Sequence, residues 1–573
     1  MSSIAPQPLL AGFGATLLLG LAACSASNDE PAASVVAPPK MKQEVLHEAA
    51  DGNASYAPQP SVAAGSMEAR KAVPQLMPMI APAAPLADSA AFGYQDVYRE
   101  QYQKIESSPV QAVAQQPVST FSIDVDTGAY ANVRRFLNDG SLPPKDAVRL
   151  EELVNYFPYA YPKPEGDVPF SVATELATTP WNPETRLLRV AIKAADLSAA
   201  ELPPANLVFL VDVSGSMDRR EGLPMVQSTL KLLVDQLRPQ DRVALVTYAG
   251  NASVMLESTA GSEKAKIRTA IDQLSAGGST AGESGIQLAY QEAQKGLLKG
   301  GINRILLATD GDFNVGISDF ETLKQLAADK RKTGVSLTTL GFGTDNYNEQ
   351  LMEQLADAGD GNYAYIDNLR EARKVLVDQL SSTLAVVAKD VKIQVEFNPA
   401  EVSEYRLLGY ENRALKREDF SNDKVDAGEI GAGHTVTAIY EVVPVGAKGW
   451  LEPLRYAQAN EKPGKAGEIA WLRLRYKAPE GGASKLVERP IGKGEATPIA
   501  QASEDLRFAA AVAAFAQQLR DAKYTGDFSL ADSARLARGA KGEDPFGLRG
   551  EFVQLVELAQ SLQTPQNVQV RAD

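Results

Sequence analysis

Cysteine and histidine are scarce in this sequence. Its 573 residues contain one cysteine, Cys24, and two histidines, His47 and His434. A single cysteine excludes an intrachain disulfide framework and a thiolate metal site, and two histidines leave little room for histidine-based catalysis. Long apolar runs are also rare: the run from Leu9 to Ala23 is shorter than the roughly 20 residues that a membrane-spanning helix needs. The sequence therefore does not indicate a disulfide-rich or thiol-dependent protein.

Positive charge is in deficit as well. The chain has 57 Lys and Arg against 72 Asp and Glu, a net charge of −15, which disfavours nucleic acid and anionic lipid surfaces as partners. No phosphate-binding glycine loop is present, so no nucleotide is expected. An apolar content of 44% and a charged content of 23% are ordinary for globular protein. At about 150 residues per domain, the length indicates three or four domains.

The N-terminus has the pattern of an export signal. The apolar run from Leu9 to Ala23 predicts a signal peptide over residues 1–23. Leu21-Ala22-Ala23-Cys24 resembles a bacterial lipobox, which implies cleavage before Cys24 and lipidation of that residue. Several acyl chains give stable membrane anchoring. Under the sorting habit of such lipoproteins in Gram-negative bacteria, Ser25 after the cysteine implies the outer membrane, so we expect a lipid-anchored envelope protein that faces the periplasm or the cell surface.

Two segments of different composition follow the signal peptide. Residues 24–116 are rich in Ala, Pro, Gln and Ser and lack apolar periodicity, so we expect a disordered tether. Residues 117–200 predict an N-terminal flanking segment with two helices, the second from Lys145 to Phe157, followed by sandwich strands. The strands are indicated by Leu188, Val190 and Ile192, which alternate with polar or small residues.

Residues 201–388 change to alternating strands and helices. Short apolar runs predict the strands Leu207–Val211, Arg242–Tyr248, Val254–Glu257, Arg304–Ala308, Ser336–Gly341 and Tyr363–Ile366. Strands that alternate with helices indicate an α/β fold with a doubly wound, Rossmann-like parallel sheet. In such a sheet, ligands bind at the carboxyl ends of the strands.

Strand patterns return after the α/β segment. Residues 389–495 predict a β-sandwich, and residues 496–573 predict a small C-terminal helical region in which Ser503 caps the first helix. Strand patterns occur on both sides of the α/β segment. We therefore expect the α/β domain to be inserted into one β-sandwich.

Three loops at predicted strand ends carry oxygen side chains. The first follows the strand Leu207–Val211 as Asp212-Val213-Ser214-Gly215-Ser216, the second is Gly277-Gly278-Ser279-Thr280, and the third is Thr309-Asp310-Gly311-Asp312. Carboxylates and hydroxyls suit a hard cation. Octahedral coordination by six oxygen ligands is typical of Mg²⁺, so we expect Mg²⁺, with Mn²⁺ or Ca²⁺ as alternatives.

The order and spacing of these loops resemble the metal-ion-dependent adhesion site of von Willebrand factor A domains. The resemblance implies that Ser214, Ser216 and Thr280 bind the metal directly, while Asp212 and Asp310 act through water or hydrogen bonds. Neutral hydroxyls leave a divalent cation with residual affinity for an incoming carboxylate. The expected partner is a protein that presents an Asp or Glu side chain. Asp312 could support the site or be a solvated turn residue.

The flanking segments resemble a group of bacterial A-domain lipoproteins. The resemblance lies in Asp124-Val125-Asp126-Thr127, in Asn155-Tyr156-Phe157 and in the stretch from Asp426 to Thr435. The flanking domains of that group have no assigned activity, so they imply architecture only.

Two other functions stay open at this point. The metal could serve only to stabilise a structural envelope protein. Alternatively, Asp124-Val125-Asp126-Thr127 after an apolar strand could be the nucleophile loop of a metal-dependent phosphotransferase, with Asp124 as nucleophile. We expect no enzyme and no catalytic residues, because Ser214 and Ser216 have no neighbouring base in the sequence pattern.

Overall fold

The computed structural model describes residues 100–563 except 199, 281, 312–319, 345–346, 453–464, 466 and 495. The predictions for the signal peptide, for Cys24 and for Asp312 lie outside the described residues. None of the described helices is both long enough and apolar enough to cross a bilayer.

Folded structure begins earlier in the chain than the sequence pattern predicts. The elements before the α/β domain are β1 (Gln111–Ala112), β2 (Val118–Ser122), α1 (Gly128–Asn138), α2 (Leu150–Asn155), β3 (Phe170–Thr178) and β4 (Arg186–Ala194). The prediction that the tether extends to residue 116 is wrong for residues 100–116. Gln111 and Ala112 form a strand, and Ile105 N donates to Asp146 Oδ1 at 3.0 Å. These contacts fix a segment whose composition alone indicates no core.

The α/β domain alternates strands and helices. Its strands are β5 (Ala205–Asp212), β6 (Arg242–Tyr248), β7 (Ala252–Ala260), β8 (Ile302–Thr309), β9 (Ser336–Gly341) and β10 (Tyr363–Tyr365). Its helices are α3 (Leu223–Gln236), α4 (Lys264–Asp272), α5 (Gly282–Lys295), α6 (Phe320–Arg331), α7 (Glu349–Ala358), α8 (Leu369–Arg373) and α9 (Leu380–Leu384), with a π-helical turn over Lys374–Asp378 between the last two.

Among the described residues the α/β sheet has the strand order β10-β9-β8-β5-β6-β7. All neighbours are parallel except β7, which runs antiparallel to β6 at the edge. Alternate residues of β5 face opposite sides: Phe209 packs with α3 and α4, whereas Leu210 packs with α5, α6 and α7. A strand buried on both faces reads as a continuous apolar run, and the predicted doubly wound fold is confirmed.

The strands on the two sides of the α/β domain form one β-sandwich. The later strands are β11 (Val386–Phe397), β12 (Val402–Leu408), β13 (Ile430–Gly431), β14 (Thr435–Pro444), β15 (Glu468–Ala478) and β16 (Gly481–Gly492). One described sheet has the order β1-β12-β14-β4-β3, and the other has β13-β11-β15-β16 with β2 on β11. Since β4 pairs with β14 and β2 with β11, the α/β domain is inserted, as predicted.

The last helices are α10 (Glu504–Arg520), α11 (Leu530–Arg538) and α12 (Leu548–Gln563). Ser503 caps α10, as predicted, because its Oγ accepts a hydrogen bond from Leu506 N at 3.1 Å. These helices share one hydrophobic core with α1 and α2, and Leu187 of β4 belongs to the same core. The C-terminal helices are therefore part of a helical layer on one sheet of the sandwich.

Candidate functional site

The central strand β5 ends at Asp212, the anchor of the candidate site. All eight residues of β5 are buried, and both carboxylate oxygens of Asp212 are engaged. Oδ1 accepts from Ser214 N at 2.9 Å, and Oδ2 accepts from Thr309 Oγ1 at 2.8 Å. Asp212 is thus oriented by the loop that follows it and by the end of the neighbouring strand β8, which suits a role through hydrogen bonds.

Two hydroxyls lie together just beyond Asp212. Ser214 Oγ and Ser216 Oγ are 3.0 Å apart, with Ser214 buried and Ser216 half-buried. A short 3₁₀ turn over Gly215–Met217 brings the two serines to the same side of the loop.

The second predicted loop is tied to the first by the backbone. Gly277 N donates to Val213 O at 2.7 Å, and Gly215 N donates to Gly278 O at 3.0 Å. Gly278 has a φ of +91°, which favours glycine. Thr280 follows two residues later and is buried just before α5. The pairing places Thr280 on the loop next to the two serines.

The third loop brings Asp310 to the same edge of the sheet. Asp310 follows β8 directly and is fully buried. Gly311, with a φ of +80°, donates its N–H to Thr309 Oγ1 at 3.0 Å. A Cβ at Gly311 would lie 2.9 Å from Asn348 N, so only glycine allows this close turn.

One cation, which the sequence reasoning missed, links the loops. Arg219 donates to Ser216 O at 2.7 Å and to Thr344 O at 2.6 Å, and its Nη2 lies 3.4 Å from Asp310 Oδ2. It lies three residues after Ser216, and the sequence pattern carries no signal for this contact.

The electrostatics of the site favour a bound cation. Burial, together with the charge of Asp310, raises the pKa of Asp212 to about 6, against the hydrogen bonds from Ser214 and Thr309. Two buried carboxylates at one strand edge are stabilised by positive charge beside them. Arg219 supplies such charge at Asp310, and a bound cation would supply more.

The spacing of the serines fits a small divalent cation. Mg²⁺ binds oxygens at about 2.0–2.1 Å in an octahedron, so two adjacent ligands lie roughly 2.8–3.0 Å apart. Ser214 Oγ and Ser216 Oγ are hydrogen-bonded to each other at 3.0 Å, and this separation is also compatible with two adjacent Mg²⁺ ligands. The structure thus brings Asp212, Ser214, Ser216 and Asp310 together, with Thr280 on the adjoining loop.

The Asp-Val-Asp loop of the N-terminal flank lies elsewhere. Asp124 is 4% exposed, and its Oδ2 lies 3.3 Å from Arg413 Nε. Asp126 Oδ1 accepts from Tyr363 N at 2.8 Å, across the contact with β10. This loop therefore joins the flanking segment to the α/β domain.

Buried ion pairs surround that contact, and the sequence reasoning missed them. Carboxylate oxygens of Asp124, Glu152 and Glu353 lie within 4.8 Å of one another. Arg149 lies 3.4 Å from Glu152 Oε1 and 2.8 Å from Glu353 Oε2, while Arg413 lies 3.2 Å from Glu353 Oε1. The guanidinium groups of Arg149 and Arg413 therefore lie within ion-pair distance of these buried carboxylates.

Comparison with known families matches three parts of the chain. The von Willebrand factor type A domain model covers residues 206–379. A model described as von Willebrand factor covers residues 96–189, and the model for the C-terminal region of uncharacterized protein YfbK covers residues 382–562.

Two curated relatives and one solved structure are similar to the chain. Uncharacterized protein YfbK of Escherichia coli (strain K12) is 53% identical over 467 residues, which is 80% of each chain. Uncharacterized protein sll0103 of Synechocystis is 35% identical over 188 residues, 33% of this chain and 43% of that protein. The von Willebrand factor type A structure from Catenulispora acidiphila has a TM-score of 0.37 and 15% identity, and the match covers 66% of this chain and 88% of that one.

The long match to YfbK extends over most of the chain, and the family models divide it into an A domain and a YfbK-type C-terminal region. The resemblance to von Willebrand factor A domains with flanking domains is confirmed. This chain belongs to the YfbK-like family of von Willebrand factor type A domain proteins.

Proposed function

We propose that this protein is a metal-dependent protein-binding module of the bacterial cell envelope, without enzymatic activity. The observation that carries the proposal is the convergence of Asp212, Ser214, Ser216 and Asp310 at the carboxyl edge of the sheet, with two hydroxyls 3.0 Å apart. A domains commonly mediate protein–protein interaction or metal-dependent binding, which supports the proposal.

The residues divide into ligands and positioning groups. Ser214, Ser216 and Thr280 would hold Mg²⁺ through their hydroxyls, with Mn²⁺ or Ca²⁺ as alternatives. Asp212 and Asp310 would orient the loops and accept hydrogen bonds. When bound, the metal supplies an electrophilic position for a partner's Asp or Glu carboxylate, because neutral ligands leave much of its charge uncompensated.

The first experiment measures metal binding. Isothermal titration of MgCl₂ and MnCl₂ into the wild-type protein should give one site, and Asp212→Ala should remove it. Ser228→Ala is the control, since Ser228 Oγ donates to Pro224 O within α3, away from the site. Wild-type protein that binds neither metal would refute the proposal.

A second experiment separates binding from stabilisation. Partners are captured from envelope extract by wild-type and Asp212→Ala protein, each with and without a chelator. A partner that is lost on chelation and on mutation supports the adhesion function. Capture that is the same in all four samples would assign the metal a purely structural role.

The envelope location is a separate part of the proposal. It rests on the Leu21-Ala22-Ala23-Cys24 sequence and predicts incorporation of labelled palmitate into the wild-type protein but not into Cys24→Ser. Absence of label from the wild-type protein, expressed in a bacterium with lipoprotein-processing enzymes, would contradict it.

A further inference from the structure

A cavity of about 510 Å³ lies where the α/β domain meets both flanking regions. Phe157 follows α2, Lys193 belongs to β4, Lys374 belongs to the π-helical turn, His434 precedes β14, and Phe546 precedes α12. Small-molecule sites have volumes of about 300–1,000 Å³ and favour junctions between domains. None of the candidate metal ligands lines this cavity.

The residues that line the cavity include more cations than anions, whereas the chain as a whole is acidic. Its charged residues, among those described, are the cations Lys193, Arg370, Arg373 and Lys374 and the anions Asp196 and Asp378. Lys193 pairs with Asp196 at 2.9 Å and Arg373 with Asp378 at 3.7 Å, so the excess positive charge of the lining comes from Arg370 and Lys374, whose carboxylate partners lie outside it. The protein as a whole has a net charge of −15. A local excess of positive charge on an acidic protein favours an anionic ligand over a neutral or cationic one.

Lys374 supplies buried positive charge to the cavity. Its side chain is 7% exposed, and Nζ makes one hydrogen bond among the described residues, to Glu371 Oε1 at 3.2 Å. Glu371 is shared, because its Oε2 also accepts from Arg134 at 2.8 Å and from Tyr156 at 2.6 Å. An ammonium group has three donors. Nζ also lies 3.5 Å from the centre of the Tyr156 ring, so the Glu371 bond and this contact leave one donor for a ligand.

His434 adds a polar atom without a partner. Its Nδ1 is shielded from solvent and makes no hydrogen bond within the described part of the chain. Burial, with the charges of Lys193 and Lys374, lowers the pKa of His434 to about 4, so the ring is neutral at pH 7. A buried polar atom left unpaired costs free energy. Because Nδ1 has almost no accessible surface, a ligand in the cavity would recover this cost only after the imidazole ring turns.

Apolar groups form the rest of the lining. Phe157 and Leu548 are buried, whereas Phe546 is 51% exposed. Arg370 donates a hydrogen bond to the Phe546 carbonyl, so a guanidinium and an exposed ring lie near each other. This combination suits a ligand with an acidic group and an apolar body.

We infer that this cavity binds a small organic acid, with its carboxylate beside Lys193, Lys374 and His434 and its apolar part against Phe157 and Leu548. The ligand contacts the last helical segment of the α/β domain and the start of β14 at the same time. Binding therefore stabilises the contact between the inserted domain and the sandwich. The inference is independent of the metal site.

The test uses the full-length protein and a matched panel of probes: benzoate, phenylacetate, succinate, phenyl phosphate, benzamide and benzylamine. We expect at least one of the carboxylates to bind in calorimetry and to raise the unfolding temperature, and benzamide and benzylamine to do neither. Preference for phenyl phosphate over every carboxylate would overturn the assignment to a carboxylic acid. Equal binding of benzamide, or failure of all carboxylates at millimolar concentration, would overturn the inference.

The histidine content gives a residue-specific readout. The chain has only His47 and His434, so protein labelled at histidine gives two imidazole signals. The bound acid should shift the signal that His434→Gln removes and leave the other in place. A shift of the His47 signal alone would contradict the proposed position.

Variants complete the test. Lys374→Gln and Lys193→Gln should each weaken binding of the acid at least tenfold, and Lys193→Gln guards against a folding defect at the more buried Lys374. Lys332→Gln, at an exposed lysine paired with Asp329, should leave affinity unchanged. Asp212→Ala should also bind the acid normally, which separates this inference from the metal site. Unchanged affinity in both cavity variants would refute it.

Discussion

Arg134 of α1 and Glu371 of α8 form an ion pair at 2.8 Å, although 237 positions separate them in the sequence. Each side chain is 1% exposed. Arg134 also pairs with Asp367 at 2.6 Å and with Glu551 of α12 at 3.1 Å. One guanidinium therefore connects the N-terminal flank, the α/β domain and the C-terminal helices.

Arg134→Met should lower the stability of the whole chain. Removal of one member of a buried ion pair leaves uncompensated charge and costs about 3–5 kcal/mol. Arg535→Met is the control, because its pair with Asp532 is on the surface, with Arg535 73% exposed. Surface pairs contribute roughly 0–1 kcal/mol. Urea unfolding monitored by circular dichroism compares the two variants, and equal midpoints would show that the buried network does not stabilise the domain contacts.

Thr309→Val should weaken metal binding without unfolding the domain. Thr309 Oγ1 donates to Asp212 Oδ2 and accepts from Gly311 N, so valine removes both contacts at nearly constant volume. Loss of a group that orients metal ligands costs about 10–100-fold in affinity. Titration with MnCl₂ measures the effect, and Thr333→Val at an exposed helix end is the matched control. Wild-type affinity in Thr309→Val would argue against a role for Asp212 in positioning the site.

The site should prefer Mg²⁺ and Mn²⁺ to Ca²⁺. Ca²⁺ binds oxygens at about 2.3–2.6 Å, so adjacent ligands in an octahedral arrangement are roughly 3.3–3.7 Å apart. Ser214 Oγ and Ser216 Oγ, which are hydrogen-bonded at 3.0 Å, would have to move apart to hold Ca²⁺. We expect Mg²⁺ to displace bound Mn²⁺, and Ca²⁺ to do so at least about tenfold less effectively. Electron paramagnetic resonance of free Mn²⁺ measures displacement. Equal competition by Ca²⁺ would mean that the loops adjust to the larger ion.

Glu151 should make the stability of the protein depend on pH. Burial, with the charges of Glu411 and Asp124, raises the pKa of Glu151 from 4.5 to about 7, and its Oε2 accepts no hydrogen bond from the described residues. The folded state thus holds a proton that the unfolded state releases. The contribution of Glu151 to stability is present below pH 4.5 and is lost as the pH rises to about 7, by on the order of 3 kcal/mol.

Glu151→Gln removes this titration. The difference in unfolding free energy between the variant and the wild type should shift in favour of the variant between pH 4.5 and 7 and be constant above that range. Denaturant midpoints at several pH values give the profile, with Glu557→Gln at an exposed position of α12 as the control. A flat difference would mean that Glu151 is ionised in the folded protein throughout.

Much of the fold could be predicted because its signals are local. The apolar run from Leu207 to Val211 predicts a buried strand, and the loop chemistry from Asp212 to Ser216 predicts an oxygen site at its end. These residues do lie at the carboxyl edge of the central strand. Both signals are carried by neighbouring residues, so no long-range information is needed.

The errors concern contacts that a local pattern does not contain. The helix predicted from Lys145 to Phe157 forms only in part: the chain has a 3₁₀ turn at Lys145–Ala147 and the shorter helix α2 at Leu150–Asn155, with Arg149 extended between them. Arg149 reaches Glu349, 200 residues away, at 2.8 Å. The tertiary ion pair outweighs helix propensity there, just as the pairing of Gln111 with Tyr405 orders a segment that the composition predicts to be disordered.

The chain passes from the sandwich into the inserted domain, and back again, near the amino-terminal ends of the central strands β5 and β8. Leu202, just before β5, packs with Ala385, just after α9, whereas Asp212 and Asp310 lie at the opposite ends of β5 and β8. A partner that pulls on the candidate metal site would apply force to these central strands along their length. Neighbouring strands would have to slide past each other with many hydrogen bonds strained at once, rather than separate one pair at a time. If a partner binds at this site as proposed, the topology would pass tension to the rest of the molecule along the strands.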